Sequence, residues 1–114
     1  MAYDTDLADR VRAALRQATA RIAPTREIRM FGGLCFMVGG HMCCGVAGKD
    51  LVVRVGPMAL KDALAQPHAR PMDFTGRPLK GFVYVSPAGC RRAADLGKWL
   101  GLGLSFVRSL PTRA

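Results

Sequence analysis

The sequence predicts an α+β fold in which an antiparallel β-sheet meander packs with three helices. Near the amino terminus, apolar residues recur at three- and four-residue spacing, which is typical of an amphipathic helix. Short apolar runs separated by glycine-containing turns follow, and such a series indicates consecutive hairpins. A second apolar stripe at helical spacing occupies the carboxyl-terminal part. At 114 residues the chain is expected to form a single domain, residues 1–114, with an ordered core of about residues 5–111.

The first helix is predicted to begin at Asp4 or Thr5, either of which can cap it. Pro24 ends the helix because the residue before a proline disfavours helical geometry. The apolar stripe consists of Leu7, Val11, Leu15, Ala18 and Ile22. Four arginines lie largely off the stripe and are candidate phosphate contacts: Arg10, Arg12, Arg16 and Arg21.

Four strands are predicted to form the meander, at residues 27–31, 34–38, 41–47 and 51–55. With Gly39 and Gly40 as a two-residue hairpin loop, Cys35 lies directly opposite Cys44, and the adjacent Cys43 points to the other face. This pairing leaves two interpretations of Cys35 and Cys44 open, a redox-sensing disulfide or two small buried apolar side chains.

The meander is apolar on both faces. One face is predicted to carry Leu34, Phe36 and Val38, and the other to carry Cys35, Met37, Met42, Cys44 and Val46. Because an antiparallel sheet with one face in water normally alternates apolar and polar residues, we expect both faces to be covered. The cover is either the three helices or a partner chain, so a homodimer through the sheet is one alternative.

The rest of the chain is predicted to hold two helices, a loop and one strand. Met58, Leu60, Ala63 and Leu64 make a short second helix amphipathic. Residues 66–80, with three prolines, are predicted to form a loop with an extended piece around residues 72–74, and residues 81–85 a last strand. A final helix begins at about Gly89, and its glycines at 101 and 103 indicate either a break or close backbone packing.

The formal net charge of +9 is the strongest feature of the composition, and it favours polyanionic partners. A solvated basic surface without a partner is the alternative. No apolar run is long enough to span a bilayer, and residues 1–6 do not resemble a signal peptide. We therefore expect a soluble cytoplasmic protein whose cysteines at 35, 43, 44 and 90 are free thiols.

The motifs of catalytic sites do not occur in the sequence. The serines lie outside a nucleophile-elbow pattern, the carboxylates are dispersed, and the glycine pairs match no nucleotide-binding motif. The cysteines lack the paired spacing of structural zinc sites. We expect no enzymatic activity, no metal and no cofactor.

The predicted loop at residues 66–80 is the best functional candidate. Its Arg70, Arg77 and Lys80, with exposed backbone N–H groups at Gly76 and Gly81, could form an anion-binding concavity. Arg91 and Arg92, near the start of the last helix, could join it as anion or partner contacts. The alternative is a turn required by the fold, with solvated charges.

Residues 29–36, with sequence RMFGGLCF, resemble the hallmark of the TfoX N-terminal domain family of competence regulators. Three further segments match in order: Gly45-Val46 with residues 51–55, residues 74–85, and the tail around Leu96, Trp99 and Phe106. The resemblance implies a secretion-chaperone-like α+β architecture without accepted catalytic residues. It also implies that full-length members carry a second, helical domain, which we do not expect in a sequence ending at Ala114.

The predicted function is a non-enzymatic regulatory module that makes protein contacts in transcription control, as the resemblance implies. An alternative is non-specific nucleic-acid binding through the Arg-rich surface. A further alternative is a small-anion sensor that uses Arg70, Arg77 and Lys80. An unidentified protein is the expected partner, nucleic acid is the alternative, and no membrane partner is expected.

Overall fold

Six strands form one antiparallel sheet, and helices cover one of its faces. The computed structural model describes residues 3–19, 25–30, 32–74 and 77–111. The strands lie in the order β1-β2-β3-β4-β6-β5, which confirms the predicted α+β class. In chain order the elements are α1 (Thr5–Thr19), β1 (Thr25–Met30), β2 (Gly33–Val38), β3 (His41–Ala47), β4 (Asp50–Arg54), α2 (Leu60–Leu64), β5 (Ala69–Phe74), β6 (Arg77–Val85) and α3 (Ala93–Arg108).

Helix α1 buries the first part of its predicted stripe. Leu7, Val11 and Leu15 are buried in the main core, as predicted. Ala18 is exposed, and Thr19 is buried in its place, with its hydroxyl donating to the Leu15 carbonyl at 2.7 Å. Position 19 lies four residues after Leu15 and therefore on the same helix face. Ile22 and Pro24 lie outside the described residues.

The hairpin of β2 and β3 contains a bulge that the sequence does not reveal. Val38 pairs with His41 and Met37 with Met42, but Phe36 then pairs with Cys44 and Cys35 with Gly45. The predicted pairing of Cys35 with Cys44 is therefore wrong by one residue. Cys43 is the extra residue, and a bulge can turn two successive side chains to one face. Cys43, Cys44 and Val46 all lie in the helix-covered core, so the predicted face is wrong for Cys44 and Val46, and Cys43 and Cys44 do not point apart.

The segment predicted as a loop at residues 66–80 mostly forms a hairpin. Strand β5 pairs with β6, which begins at Arg77 rather than at position 81. The prolines are tolerated because β5 is the edge strand, and the part of β6 that holds Pro78 lies beyond the residues paired with β4. An edge or unpaired position does not need the N–H that proline lacks.

Helix α3 runs without interruption through Gly101 and Gly103, where the sequence left open either a break or close backbone packing. It begins at Ala93, after a short 3-10 turn at Pro87–Gly89, and its buried face includes Leu96, Trp99 and Val107. Close packing accounts for Gly103, where an added Cβ would lie 2.9 Å from the Cys43 carbonyl oxygen. Gly101 is exposed, with nothing within 4 Å of an added Cβ.

The second helix is shorter than the sequence predicts. Helix α2 comprises Leu60–Leu64 and buries Ala63, whereas Met58 precedes the helix and is 96% exposed. None of the helices within the described residues combines the length and the apolarity needed to cross a bilayer.

The second face of the sheet carries a smaller apolar cluster. Its buried members are Cys35, Met42, Val52 and Met72, and none of them belongs to a helix. Partly buried Met37, Phe82 and Tyr84 surround them. The prediction that both faces are apolar is confirmed, but the described helices contribute no residue to this second cluster.

Two of the three glycines in α3, Gly101 and Gly103, provide a matched test of how closely the helix approaches the sheet. We expect Gly103→Ala to lower the free energy of unfolding by about 1–3 kcal/mol, because the added methyl collides with a backbone carbonyl. Gly101→Ala should raise it by up to about 1 kcal/mol, because alanine favours the helix and meets no neighbour. Urea unfolding of both variants measures the difference. Equal effects would contradict the packing described here.

Candidate functional site

Arg70 is held by three groups at the β5 edge of the sheet. Its guanidinium donates to Asp50 Oδ2 at 2.6 Å and to Ser86 Oγ at 3.1 Å. It also lies 4.8 Å from the centroid of the Tyr84 ring. The charge of Arg70 is therefore balanced within the protein, which leaves this arginine poorly suited to bind an external anion.

The other candidates from residues 66–80 lie away from Arg70. Arg70 pairs with Tyr84, and Lys80 is exposed four residues earlier on β6, about 13 Å away along the strand. Arg77 begins β6, and its side chain lies outside the described residues, as does Gly76. The hairpin thus does not bring Arg70 and Lys80 into a common concavity.

A groove lies between the turn before β5 and the amino-terminal half of α3. We call it the α3 groove, and its volume is about 420 Å³. Its lining residues are Gln66, Pro67, His68, Ala88, Gly89, Arg92, Asp95, Lys98 and Trp99. Lys98 Nζ donates to Gln66 Oε1 at 3.2 Å and links the two walls. Arg92 and Lys98 are exposed at the groove, and Asp95 is the one carboxylate in its described lining.

The wall at His68 is fixed by an unusual backbone conformation. His68 has a φ of 70°, in the left-handed region that non-glycine residues seldom adopt. Its carbonyl accepts a hydrogen bond from the Ser86 N–H at 2.9 Å. A Cβ at Gly89 would lie 2.8 Å from the His68 Cβ, so the turn packs directly against the segment before α3. These contacts set the position of the imidazole at the groove.

Arg10 joins the groove region from α1. Its guanidinium donates to the carbonyls of Cys90 and Arg91 at 2.9 and 3.0 Å. Both partners are neutral, so these hydrogen bonds leave the charge of Arg10 unbalanced. The structure therefore brings one predicted phosphate contact beside Arg91 and Arg92, both of which are exposed.

Arg12 and Arg16 point toward β1 instead. Arg12 forms a bidentate ion pair with Glu27, in which Arg12 Nη2 lies 2.7 Å from Glu27 Oε1. Arg12 Nη1 also lies 2.7 Å from Asp9 Oδ1. The hydrogen bond to Glu27 raises the pKa of Arg12 above its ordinary value, and it lowers the pKa of Glu27. Arg16 is exposed and lines a cleft of about 200 Å³ with Arg26. Arg21 lies outside the described residues.

The four cysteines are buried free thiols. Burial raises the pKa of Cys35 to about 11 and also raises the pKa of Cys90. A hydrogen bond with Cys43, together with burial, raises the pKa of Cys44. Thiols with raised pKa values stay protonated at neutral pH, and the protonated form is neither a good nucleophile nor a metal ligand. Cys35 and Cys44 lie in clusters on opposite faces of the sheet, which separates the pair considered for a disulfide.

Metal-ligating side chains are not grouped in the part of the chain that the structure describes. Within it, no three His, Cys, Asp or Glu residues lie close enough together to hold an ion.

Gln66, His68, Lys98 and Trp99 are groove residues that were not predicted from the sequence. Arg92, Asp95 and Lys98 recur every three residues, and this spacing could have indicated a shared helix face. The opposite wall has no comparable signal, because Gln66 and Lys98 are 32 positions apart in the sequence.

The chain matches the family model of the TfoX N-terminal domain over residues 5–107. No curated protein and no solved structure matches it at a significant level.

The raised cysteine pKa predicts that stability falls at alkaline pH. The unfolded chain loses the Cys35 proton near pH 9 and the folded chain near pH 11, so the unfolded state binds fewer protons between these values. The stabilisation is therefore complete below about pH 9 and is lost as the pH rises toward about 11. We expect the free energy of unfolding to decline less steeply in Cys35→Ala than in the unchanged protein. Parallel pH profiles from urea unfolding would contradict the burial of this thiol.

Proposed function

The chain belongs to the TfoX N-terminal domain family, and we propose that it is a non-enzymatic regulatory module that binds an acidic segment of a protein partner. The proposed contact surface is the α3 groove together with Arg91. One observation carries this proposal: the cations at the groove are exposed and face a single carboxylate of the described lining, Asp95, whereas Arg12 and Arg70 are neutralised by internal ion pairs.

The start of α3 adds to the positive potential of this surface. Arg92 occupies the N-cap position, and no side chain caps the helix there by a hydrogen bond. The first N–H groups of a helix lack internal partners, and the helix dipole places partial positive charge at this end. Asp95 in the first turn offsets part of this charge, but together with Arg91, Arg92 and Lys98 these groups favour a carboxylate-rich ligand.

The shape of the groove favours a polypeptide segment as the ligand. Trp99 is buried at 4% exposure and forms part of the lining, to which Gln66 and Lys98 contribute polar groups. A lining that combines an aromatic ring with polar and charged groups suits an extended segment with acidic and apolar side chains. We propose that such a contact serves transcription control, in keeping with membership of a regulatory family.

Non-specific nucleic-acid binding is the second candidate, and the cleft between α1 and β1 supports it. Arg16 lines this cleft and forms no ion pair between described residues, and the whole chain carries a net charge of +9. Contacts between an exposed arginine and the phosphate backbone carry no sequence information, so they do not require a shaped groove on the protein. A small-anion sensor at Arg70, Arg77 and Lys80 has less support, because Asp50 already balances the charge of Arg70.

A comparison of two labelled probes tests the proposal. We expect a polyglutamate peptide to bind in a fluorescence anisotropy assay, and Arg92→Ala to weaken that binding by about threefold. Arg108→Ala is the matched control, because it removes another exposed arginine 16 residues further along the chain, about 24 Å along α3. Equal losses in both variants would show that net charge alone drives binding, which would contradict a role for the groove.

A random-sequence DNA duplex is the second probe, measured over a salt series from about 50 to 200 mM. Tight binding with a log–log salt slope near −0.9 per phosphate, weakened by Arg16→Ala, would favour the nucleic-acid candidate instead. If neither probe binds at the lowest salt concentration, both candidates are wrong and the charge is a solvated surface.

A further inference from the structure

Strand β1 presents an open edge of the sheet. It is the outermost strand, and five of its six residues are exposed. Within the described residues it pairs only with β2. The opposite edge, β5, contains Pro71 and a register irregularity, both of which discourage further pairing. Strand β1 contains neither proline nor glycine, so its outward N–H and C=O groups can form a new ladder.

The residues of β1 divide cleanly between the two faces of the sheet. Glu27 and Arg29 pair with Phe36 and Leu34 and therefore share the helix-covered face. Arg26, Ile28 and Met30 lie on the other face, where Ile28 pairs with Cys35 of the smaller apolar cluster. Met30 is 40% exposed there.

We propose that β1 pairs antiparallel with β1 of a second copy, about a two-fold axis through Ile28. Such an axis, normal to the sheet, keeps the helices of both copies on one side. Glu27 then lies opposite Arg29 of the second copy, and Arg29 opposite Glu27 of that copy. Ile28 lies opposite its own equivalent, and Arg26 opposite Met30 of the second copy.

Among the registers centred on residues 26 to 29, the charges select this one. Directly opposite residues of an antiparallel pair point to the same face. Residues of adjacent number point to different faces, so they cannot lie opposite each other across the two-fold axis. The axis must therefore pass midway between one residue and its equivalent in the second copy. Centring it on Arg26, Glu27 or Arg29 places like charges opposite each other, which is destabilising. Centring it on Ile28 instead places opposite charges across the joint on one face and apolar contacts on the other.

The intramolecular ion pair of Glu27 is compatible with this arrangement. Arg12 approaches the Glu27 carboxylate from α1, but a carboxylate offers about four lone-pair positions and can accept from a second arginine. On the other face, the aliphatic part of Arg26 can cover the exposed Met30 of the second copy. The joint would thereby extend the smaller apolar cluster across both copies.

The same charges discourage pairing with other strands. Charged side chains on an edge strand normally prevent indiscriminate association. Here they oppose the symmetric registers centred on Arg26, Glu27 and Arg29 and favour the one centred on Ile28, so they disfavour those three alternative pairings. The β1 edge is separate from the α3 groove, so the proposed dimer can be tested independently of the proposed function.

A charge-swap experiment tests the register directly. Sedimentation equilibrium of the full chain at up to about 200 µM should show a concentration-dependent dimer. Glu27→Arg and Arg29→Glu should each raise the dissociation constant by about tenfold or more, because each places like charges across the joint. An equimolar mixture of the two variants should recover the original dimer, because the arginine introduced at 27 then faces the glutamate introduced at 29, and Arg29 faces Glu27.

Two further variants distinguish weakened dimerisation from impaired folding. Arg91→Glu makes the same charge change as Arg29→Glu at a distant exposed site and should leave the dimer intact. Ile28→Asp does not touch the pair between Arg12 and Glu27, and it should weaken the dimer by placing two carboxylates at the axis. Thermal melts by circular dichroism confirm that each variant is folded. A monomer at every concentration, or a dimer that none of the β1 variants weakens, would overturn the proposal.

Discussion

The approach of α3 to β3 is the contact on which much of the remaining structure depends. At Gly103 the helix meets the Cys43 carbonyl at a distance that leaves no space for a side chain. The bulge in β3 turns both Cys43 and Cys44 toward this helix, where they are fully buried. With α3 seated this closely, Leu100 and Leu104 reach the core, and the amino-terminal half of the helix lies beside the turn that leads into β5. The α3 groove is thus a consequence of how the core is packed.

Charge on this basic chain is partly balanced by local pairing. Asp9 and Glu27 are engaged by Arg12, and Asp50 is engaged by Arg70. Because Lys and Arg outnumber Asp and Glu by 17 to 8, cations elsewhere stay on the surface without ionic partners among the described residues. Exposed surface ion pairs contribute little to stability, so the arrangement of the charges is informative mainly about recognition. The unpaired charges near the start of α3 lie beside a groove, and that of Arg16 lies beside a cleft, so each has a surface against which a partner can be placed.

Local patterns predicted much of the fold, and non-local contacts account for the errors. The stripe at Leu7, Val11 and Leu15 identified α1, and the glycine pair at 39 and 40 identified the hairpin of β2 and β3. The bulge was missed because one extra residue leaves no trace in a run of apolar side chains. The hairpin of β5 and β6 was missed because its prolines are tolerated only at positions that the sheet order defines. Among the candidate site residues, Arg91 and Arg92 are predicted from their charge alone, whereas the neutralisation of Arg70 depends on Asp50, 20 positions away.

The two proposed surfaces lie toward opposite ends of the sheet, and this placement makes them compatible. The groove is built partly on the turn into β5, at one edge, while the joint between copies would form at β1, at the other edge. Strands are about 4.8 Å apart, so the two edges of one sheet are separated by roughly 24 Å before twist is considered. A dimer joined at β1 would therefore leave both grooves open and far apart. Two separated sites can bind one long or repeated partner with greater avidity than either site alone, provided that the partner spans the distance. A short acidic segment would gain nothing from the second copy, so the length of the partner would determine whether pairing at β1 affects recognition at the groove.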